Sequence, residues 1–262
     1  MTVDYSIVIP AFNEEAFLPA TLTAVCTAMA ALPGASGELI VVDNNSTDRT
    51  AAVARSYGAT VVFEPVNQIS RARNCGAAAA VGRYLLFVDA DTVVGVELLR
   101  AALAALESGK VCGGGARVGT SEQTHFVARL FLWLWNALAP RLGYAAGAFV
   151  YCRREGWEQT GGFSHDLYAS EEIAFSRMLR RWGRERGMAF KVLPQQMDTS
   201  MRKARWYGPW RIVGMMLPLL FMPWRLRSRR HCSTWYERPA TTAPASPPPD
   251  EKANRTRKGR QR

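Results

Sequence analysis

The chain has 262 residues, 48% of them hydrophobic, and a formal net charge of +11. That size suits one large core, or one domain with a tail, and the composition is that of a globular protein. The charge is uneven. Residues 1–198 carry 18 Lys+Arg against 19 Asp+Glu, while residues 199–262 carry 15 against 3, so a near-neutral globular part precedes a basic appendage of the kind that meets a polyanionic surface. The five cysteines are scattered without paired spacing, which reads as free thiols in a reducing compartment and not as a disulfide framework or zinc site. The first ten residues have no basic n-region or apolar h-region, so no signal peptide is expected.

In chain order, residues 5–9 read as a buried strand ending at Pro10, followed by the loop 11–15 and an Ala/Leu-rich helix over 16–32 that stops at Pro33-Gly34. A second strand over 38–42 ends at Asp43. The turn 44–48 has capping potential for a helix near 49–57. A third strand over 59–63 and a helix over 70–80, which carries Arg71, Arg73 and Asn74, lead to the run Tyr84–Val88. That run is short, unbroken and apolar, as expected of a strand buried on both faces. Strands and helices alternating at this spacing predict a parallel sheet with right-handed crossovers.

The fourth strand stops at Asp89 and Asp91. Residues two apart on an extended chain point to the same side, so these carboxylates converge past the carboxyl end of a central strand, where open α/β sheets bind ligands. Two such anions repel unless a cation intervenes. Mg²⁺ or Mn²⁺ held by one or two carboxylates usually completes its shell with water and substrate phosphates. The chain has no Gly-x-Gly-x-x-Gly after its first strand and no P-loop. A nucleotide, if one binds, must therefore be held by side chains at strand ends: Asp43 on base or ribose, Asp89 and Asp91 on ribose and metal. Arg71 and Arg73 suit either phosphate neutralisation or ion pairs with Asp43 or Asp89. Gly113-Gly114-Gly115, near a strand over 111–118, marks a turn or a close backbone approach.

Residues 125–138 are apolar nearly all round, which fits core packing, a greasy binding groove or membrane contact. A short strand is expected over 147–152. Ser170 is placed to cap a helix running to about residue 182, with Glu171 and Glu172 in its first turn, where the helix dipole favours anions. Beyond residue 198 the character changes. Residues 199–210 are basic and aromatic, and residues 212–224 are apolar but broken by Gly214, Pro218 and Pro223. Arg225, Arg227, Arg229 and Arg230 follow, then a Pro/Ala/Thr linker over 239–249 and a basic tail expected to be disordered. As a helix the apolar stretch would reach about 20 Å, short of the roughly 30 Å hydrocarbon core. Its basic and aromatic flanks predict a peripheral anchor on an anionic membrane surface, with packing of 212–220 as a helix on the preceding domain as the alternative.

Four segments fall in order: Val8-Ile9-Pro10-Ala11-Phe12-Asn13-Glu14-Glu15, Val41-Val42-Asp43-Asn44-Asn45-Ser46-Thr47-Asp48, Arg71-Ala72-Arg73-Asn74 and Phe87-Val88-Asp89-Ala90-Asp91. Together they resemble the inverting family-2 glycosyltransferases of GT-A fold, over about residues 4–193. The resemblance implies an α/β GT-A domain over 1–198, a UDP- or GDP-sugar donor, a divalent metal (Mg²⁺ or Mn²⁺) and single displacement at the anomeric carbon. It implies donor contacts from Pro10, Ala11, Asn13, Glu14, Asp43, Arg71, Arg73 and Asp89, and metal ligation by Asp91. Residues 156–163, with Gly161-Gly162-Phe163, resemble the family's acceptor-side loop. The family usually places Glu-Asp at 171–172, with the Asp as catalytic base. This chain has Glu172 there, whose extra methylene moves the carboxylate by more than about 1 Å, a displacement that matters for rate. Glu172 is the expected base and His165 the runner-up. A basic extension over 199–238 and the tail over 239–262 complete the expected organisation, for a cytoplasmic protein peripheral on the inner face of a membrane. A scaffold that binds nucleotide sugar without catalysis is the second reading. No nucleic-acid partner is expected.

Overall fold

The computed structural model describes residues 3–122, 125–200, 202, 206, 223–233 and 236. Among them, strands β1 (Tyr5–Ala11), β2 (Gly37–Asp43), β3 (Thr60–Phe63), β4 (Tyr84–Val88), β5 (Thr92–Val93), β6 (Val111–Gly119), β7 (Phe149–Arg153) and β8 (Ala189–Thr199) form one sheet. Their order is β3-β2-β1-β4-β7-β6-β8-β5. The first four run parallel. β7 is antiparallel to both β4 and β6, β6 and β8 are parallel, and β5 closes the far edge antiparallel to β8. The parallel expectation therefore holds in the half that ends in the acidic residues, and the other half is mixed.

Helices α1 (Leu18–Ala30), α2 (Thr50–Ser56), α3 (Ile69–Ala79), α4 (Val96–Glu107), α5 (Phe126–Leu142), α6 (Arg154–Thr160) and α7 (Glu171–Arg184) accompany the sheet. The two-residue alternation of β4 divides the core. Tyr84, Leu86 and Val88 face α1 and α4, with Leu18, Leu22, Leu99 and Leu106. Leu85 and Phe87 face α3 and α7, with Ala72, Ala77, Phe175 and Leu179. Every residue of β4 is buried, so the strand that delivers Asp89 and Asp91 is held on both faces, each large apolar side chain contributing about 1.5–3 kcal/mol.

Several elements differ from expectation. Residues 154–160 form α6 where a loop was expected, because Gly161 and Gly162, both at positive φ, terminate a helix there. The three glycines at 113–115 lie inside β6 and make no turn. They serve close approach instead, since a Cβ on Gly114 would run into the Lys191 carbonyl of β8. All five cysteines are free. Pro223–Arg227 forms a 3-10 turn. That turn and the segment after it dock against the loop before α7: Tyr168 donates its N–H to the Leu226 carbonyl at 2.7 Å, and Tyr236 Oη donates to the Tyr168 carbonyl at 2.9 Å. Residues 207–222, most of the apolar stretch assigned to a membrane, and the tail over 239–262 lie outside the described residues.

Candidate active site

β1 and β4 are parallel neighbours, so their carboxyl ends open onto the same edge of the sheet. A cleft of about 90 Å³ lies there, walled by Pro10, Ala11, Glu14, Asp89 and Asp91 together with Asn44, Asn67 and Ile69. Five of the expected site residues thus meet. Arg202 and Tyr236, from the C-terminal segment, form part of the same wall.

Arg73 is the hub behind the cleft. Only 2% of its side chain is exposed. It donates from Nη2 to Asp89 Oδ1 at 2.9 Å and to the Gly147 carbonyl at 2.8 Å, and from Nη1 to Glu171 Oε1 at 2.8 Å. Burial works against its charge, but Asp89 and Glu171 outweigh that and raise its pKa above the ordinary arginine value. Of the two roles open to Arg73 in the sequence, the ion pair with Asp89 is the one formed. The pair with Glu171 is the fully buried one, and breaking such a pair costs about 3–5 kcal/mol, because it strands the remaining charge. Glu171 is correspondingly not a mere helix-end anion. It is buried and fixes Arg73.

Glu172 sits beside this hub. A Cβ on Gly147 would stand 3.2 Å from Arg73 Nη2 and 3.4 Å from the Glu172 carboxyl carbon, so a glycine lets the arginine and the glutamate pack side by side. Burial, then the charge of Glu171, push the Glu172 carboxyl up to about 8, with Arg73 partly opposing them. Ser170 does not cap α7 through its side chain. It occupies the left-handed region at φ 60°, a strained conformation for a residue with a Cβ, immediately before the two glutamates.

Arg202 was expected only as one of a basic cluster flanking an apolar segment, yet its side chain is 8% exposed and reaches the cleft. It forks onto Glu14 at 2.7 and 2.5 Å and pairs with Asp91 Oδ2 at 3.0 Å. Its guanidinium lies 4.8 Å from the Phe17 ring and 5.5 Å from that of Trp206, and its Nε is buried with no partner among the described residues. The one available signal was position, since Arg202 closely follows the strand end at Thr199-Ser200. Its partners lie far away in sequence.

The other expected residues are deployed differently. Asp43 Oδ1 accepts from the Ser46 N–H at 2.9 Å and shapes the turn after β2. Asn13, at φ 52°, clamps that turn to the loop after β1: its Oδ1 accepts from Thr47 N at 2.8 Å, and its own N–H donates to Ser46 Oγ at 3.0 Å. Arg71 donates to Gln68 Oε1 at 3.1 Å and makes neither of its expected ion pairs among the described contacts. His165 is exposed and pairs with Asn74 at 2.9 Å. It is not part of the cleft wall.

The family model for glycosyl transferase family 2 matches residues 6–181. The chain belongs to glycosyl transferase family 2. An uncharacterized glycosyltransferase of Mycobacterium tuberculosis is 43% identical over 86 residues, 33% of this chain and 36% of that protein. A dolichyl-phosphate beta-glucosyltransferase of Drosophila melanogaster is 36% identical over 103 residues, 34% of this chain and 31% of that protein. The matching stretch thus spans about a third of these relatives. Among solved structures, a mannosyltransferase from Pyrobaculum calidifontis in complex with GDP-Man and Mn²⁺ superposes with a TM-score of 0.60 at 16% identity, covering 89% of this chain and 73% of that one. Glucosyl-3-phosphoglycerate synthase from Mycobacterium tuberculosis, with Mn²⁺ and UDP-glucose, gives 0.57 at 23% identity, covering 88% and 80%. S. aureus TarS in complex with UDP gives 0.59 at 18%, covering 82% and 66%. The fold is GT-A.

For a family-2 chain, the question of metal turns on Asp89 and Asp91. The described residues contain no cluster of three or more His, Cys, Asp or Glu able to enclose an ion. What they offer is an oxygen-only pair at the mouth of a cleft, and that chemistry fits Mg²⁺ or Mn²⁺ completed by water and a diphosphate. Both carboxylates have an arginine partner here, Asp89 in Arg73 and Asp91 in Arg202.

Proposed function

We propose that this chain transfers a sugar from a UDP- or GDP-activated donor to an acceptor hydroxyl, with inversion at the anomeric carbon and dependence on Mg²⁺ or Mn²⁺. The observation that carries this reading is the joining, through Arg73, of the Asp89 side of the cleft to the Glu171-Glu172 turn of α7. Solved structures of the same fold contain UDP, UDP-glucose or GDP-Man, two of them with Mn²⁺.

Pro10, Ala11 and Glu14 line the donor cleft, Asp43 shapes its rim, and Asp89, steadied by Arg73, accepts from the ribose. Asp91 is the metal ligand. The metal, when bound, offsets the charge that develops on the departing diphosphate. Arg202 supplies a second positive group at the same edge, and the Asp91 carboxylate it holds is the one a metal would take. Arg202 and Tyr236 wall the cleft on its C-terminal side. Glu172 takes the acceptor proton as the new bond forms, and its raised pKa suits a general base working near neutrality. The basic balance of residues 199–262 supports a peripheral position on the cytoplasmic face of an anionic membrane, with a membrane-borne acceptor.

The test is incubation with a panel of UDP- and GDP-sugars in Mg²⁺ or Mn²⁺, reading free nucleotide. At least one donor is expected to release its nucleotide, and chelator is expected to stop the release. Donor binding without release from any sugar would favour the non-catalytic scaffold, for which the Glu at position 172 is the supporting feature.

A further inference from the structure

We propose that the outward face of α5 is the surface that inserts into an anionic lipid bilayer. This rests on the peripheral-membrane part of the reading above and adds the element that makes contact. Seven of the thirteen exposed large apolar side chains among the described residues belong to this one helix, so they form a patch and not the scatter normal for a protein surface. Phe126, Leu130, Leu134 and Leu138 recur every four residues along one stripe, and Phe131 and Trp133 widen it. Phe126 is 71% and Trp133 66% exposed. The inward face is small, with only Ala128 and Ala139 fully buried.

The helix cannot roll to hide this stripe. Asn136 accepts from the Val118 N–H at 2.9 Å and donates to the Val118 carbonyl at 2.8 Å, which locks the opposite face to β6. Charge then selects the occupant. The seventeen residues of α5 contain no acid, and Arg129 and Arg141 on it are exposed. At its carboxyl end Arg180 reaches the Leu142 carbonyl, and Arg177 donates to Tyr144 Oη at 2.8 Å. Four cations around the patch would repel a second copy of the same face and attract anionic headgroups. An apolar face with basic residues and Trp is the pattern of a helix lying in the interface plane. No described helix is long and apolar enough to cross a membrane. Five residues past Leu142 the chain reaches Gly147, whose carbonyl receives Arg73, so a bilayer on α5 would lie close to the catalytic hub.

The experiment is sedimentation of the full chain with phosphatidylglycerol or phosphatidylcholine vesicles. It compares the parent with Phe131→Glu/Leu134→Glu and with Arg225, Arg227, Arg229 and Arg230 all changed to Gln. All these α5 positions are exposed, so thermal melts should match the parent. The α5 pair is expected to lower partition onto phosphatidylglycerol vesicles at least about tenfold, or 1.4 kcal/mol, with nucleotide release unchanged. Undiminished binding of the α5 pair overturns the proposal. If the arginine variant alone loses binding, the C-terminal anchor stands and α5 is excluded. A parent that ignores vesicles but is dimeric by light scattering, with a monomeric α5 pair, would assign the face to a second copy and overturn the lipid assignment. A parent that neither binds vesicles nor dimerises removes both membrane readings and leaves the catalytic one untouched.

Discussion

Asp91→Asn is expected to reduce sugar transfer by at least about 10²–10³-fold, the range for losing a group that stabilises developing charge. The substitution keeps size and shape but removes the anion at the mouth of the cleft. Donor affinity should fall mainly when Mg²⁺ or Mn²⁺ is present, because the metal links this carboxylate to the diphosphate. Calorimetry with and without the ion separates that effect from simple damage to the cleft. Full activity of the variant, or of the parent in chelator, would remove the metal role. Arg202 sharpens the comparison. It already neutralises Asp91 at 3.0 Å, so cation binding there exchanges one positive partner for another. Arg202→Met should therefore bind Mn²⁺ alone more tightly than the parent, whereas Asp91→Asn should bind it more weakly.

Glu172→Gln is expected to lower turnover by about 10²–10⁴-fold with donor affinity little changed, the signature of a lost general base. A collapse of donor binding instead would make Glu172 structural and return attention to Glu171 or His165. The pH profile gives a second readout. A base works in its deprotonated form, so activity should rise with pH through an acid limb lying well above the ordinary glutamate value of about 4.3, and the limb should vanish in the variant. Stability carries the opposite sign. With the folded pKa raised to about 8, the Glu172 contribution is fully present below the unfolded value and is lost as pH rises through the folded one. Melting temperatures of the parent should fall across that window, and those of Glu172→Gln should fall less.

The parts of this site legible in the sequence are those in which local pattern and function coincide. Tyr84–Val88 reads as a buried strand because every residue is apolar, and Asp89 and Asp91 follow at its end and both line the cleft, although they lie in a turn that the Thr92 N–H closes onto the Asp89 carbonyl and not on an extended chain. Asp43 follows in the same way from the end of β2. What escaped depends on contacts far apart in the chain. Glu171 looks like an ordinary first-turn anion until Arg73, 98 residues earlier, is seen to reach it. Arg202 looks like one of many basic residues until its buried fork onto Glu14, 188 residues away, is known. β8 was unassigned because Pro194 and Gln195-Gln196 break its alternation, and it persists because β6 and β5 pair with both its edges. The length and apolarity of α5 were evident, but the side facing outward was not. Asn136, not hydrophobic periodicity, decides it.

Proton NMR of a donor turned over without added acceptor tests the central claim most directly, because water then takes the place of the acceptor hydroxyl. If a base at Glu172 drives a single displacement, the first sugar released carries the anomeric configuration opposite to that of the donor, before mutarotation mixes the two, and chelator abolishes its appearance. Release with the donor's own configuration, or release indifferent to metal, would contradict the account.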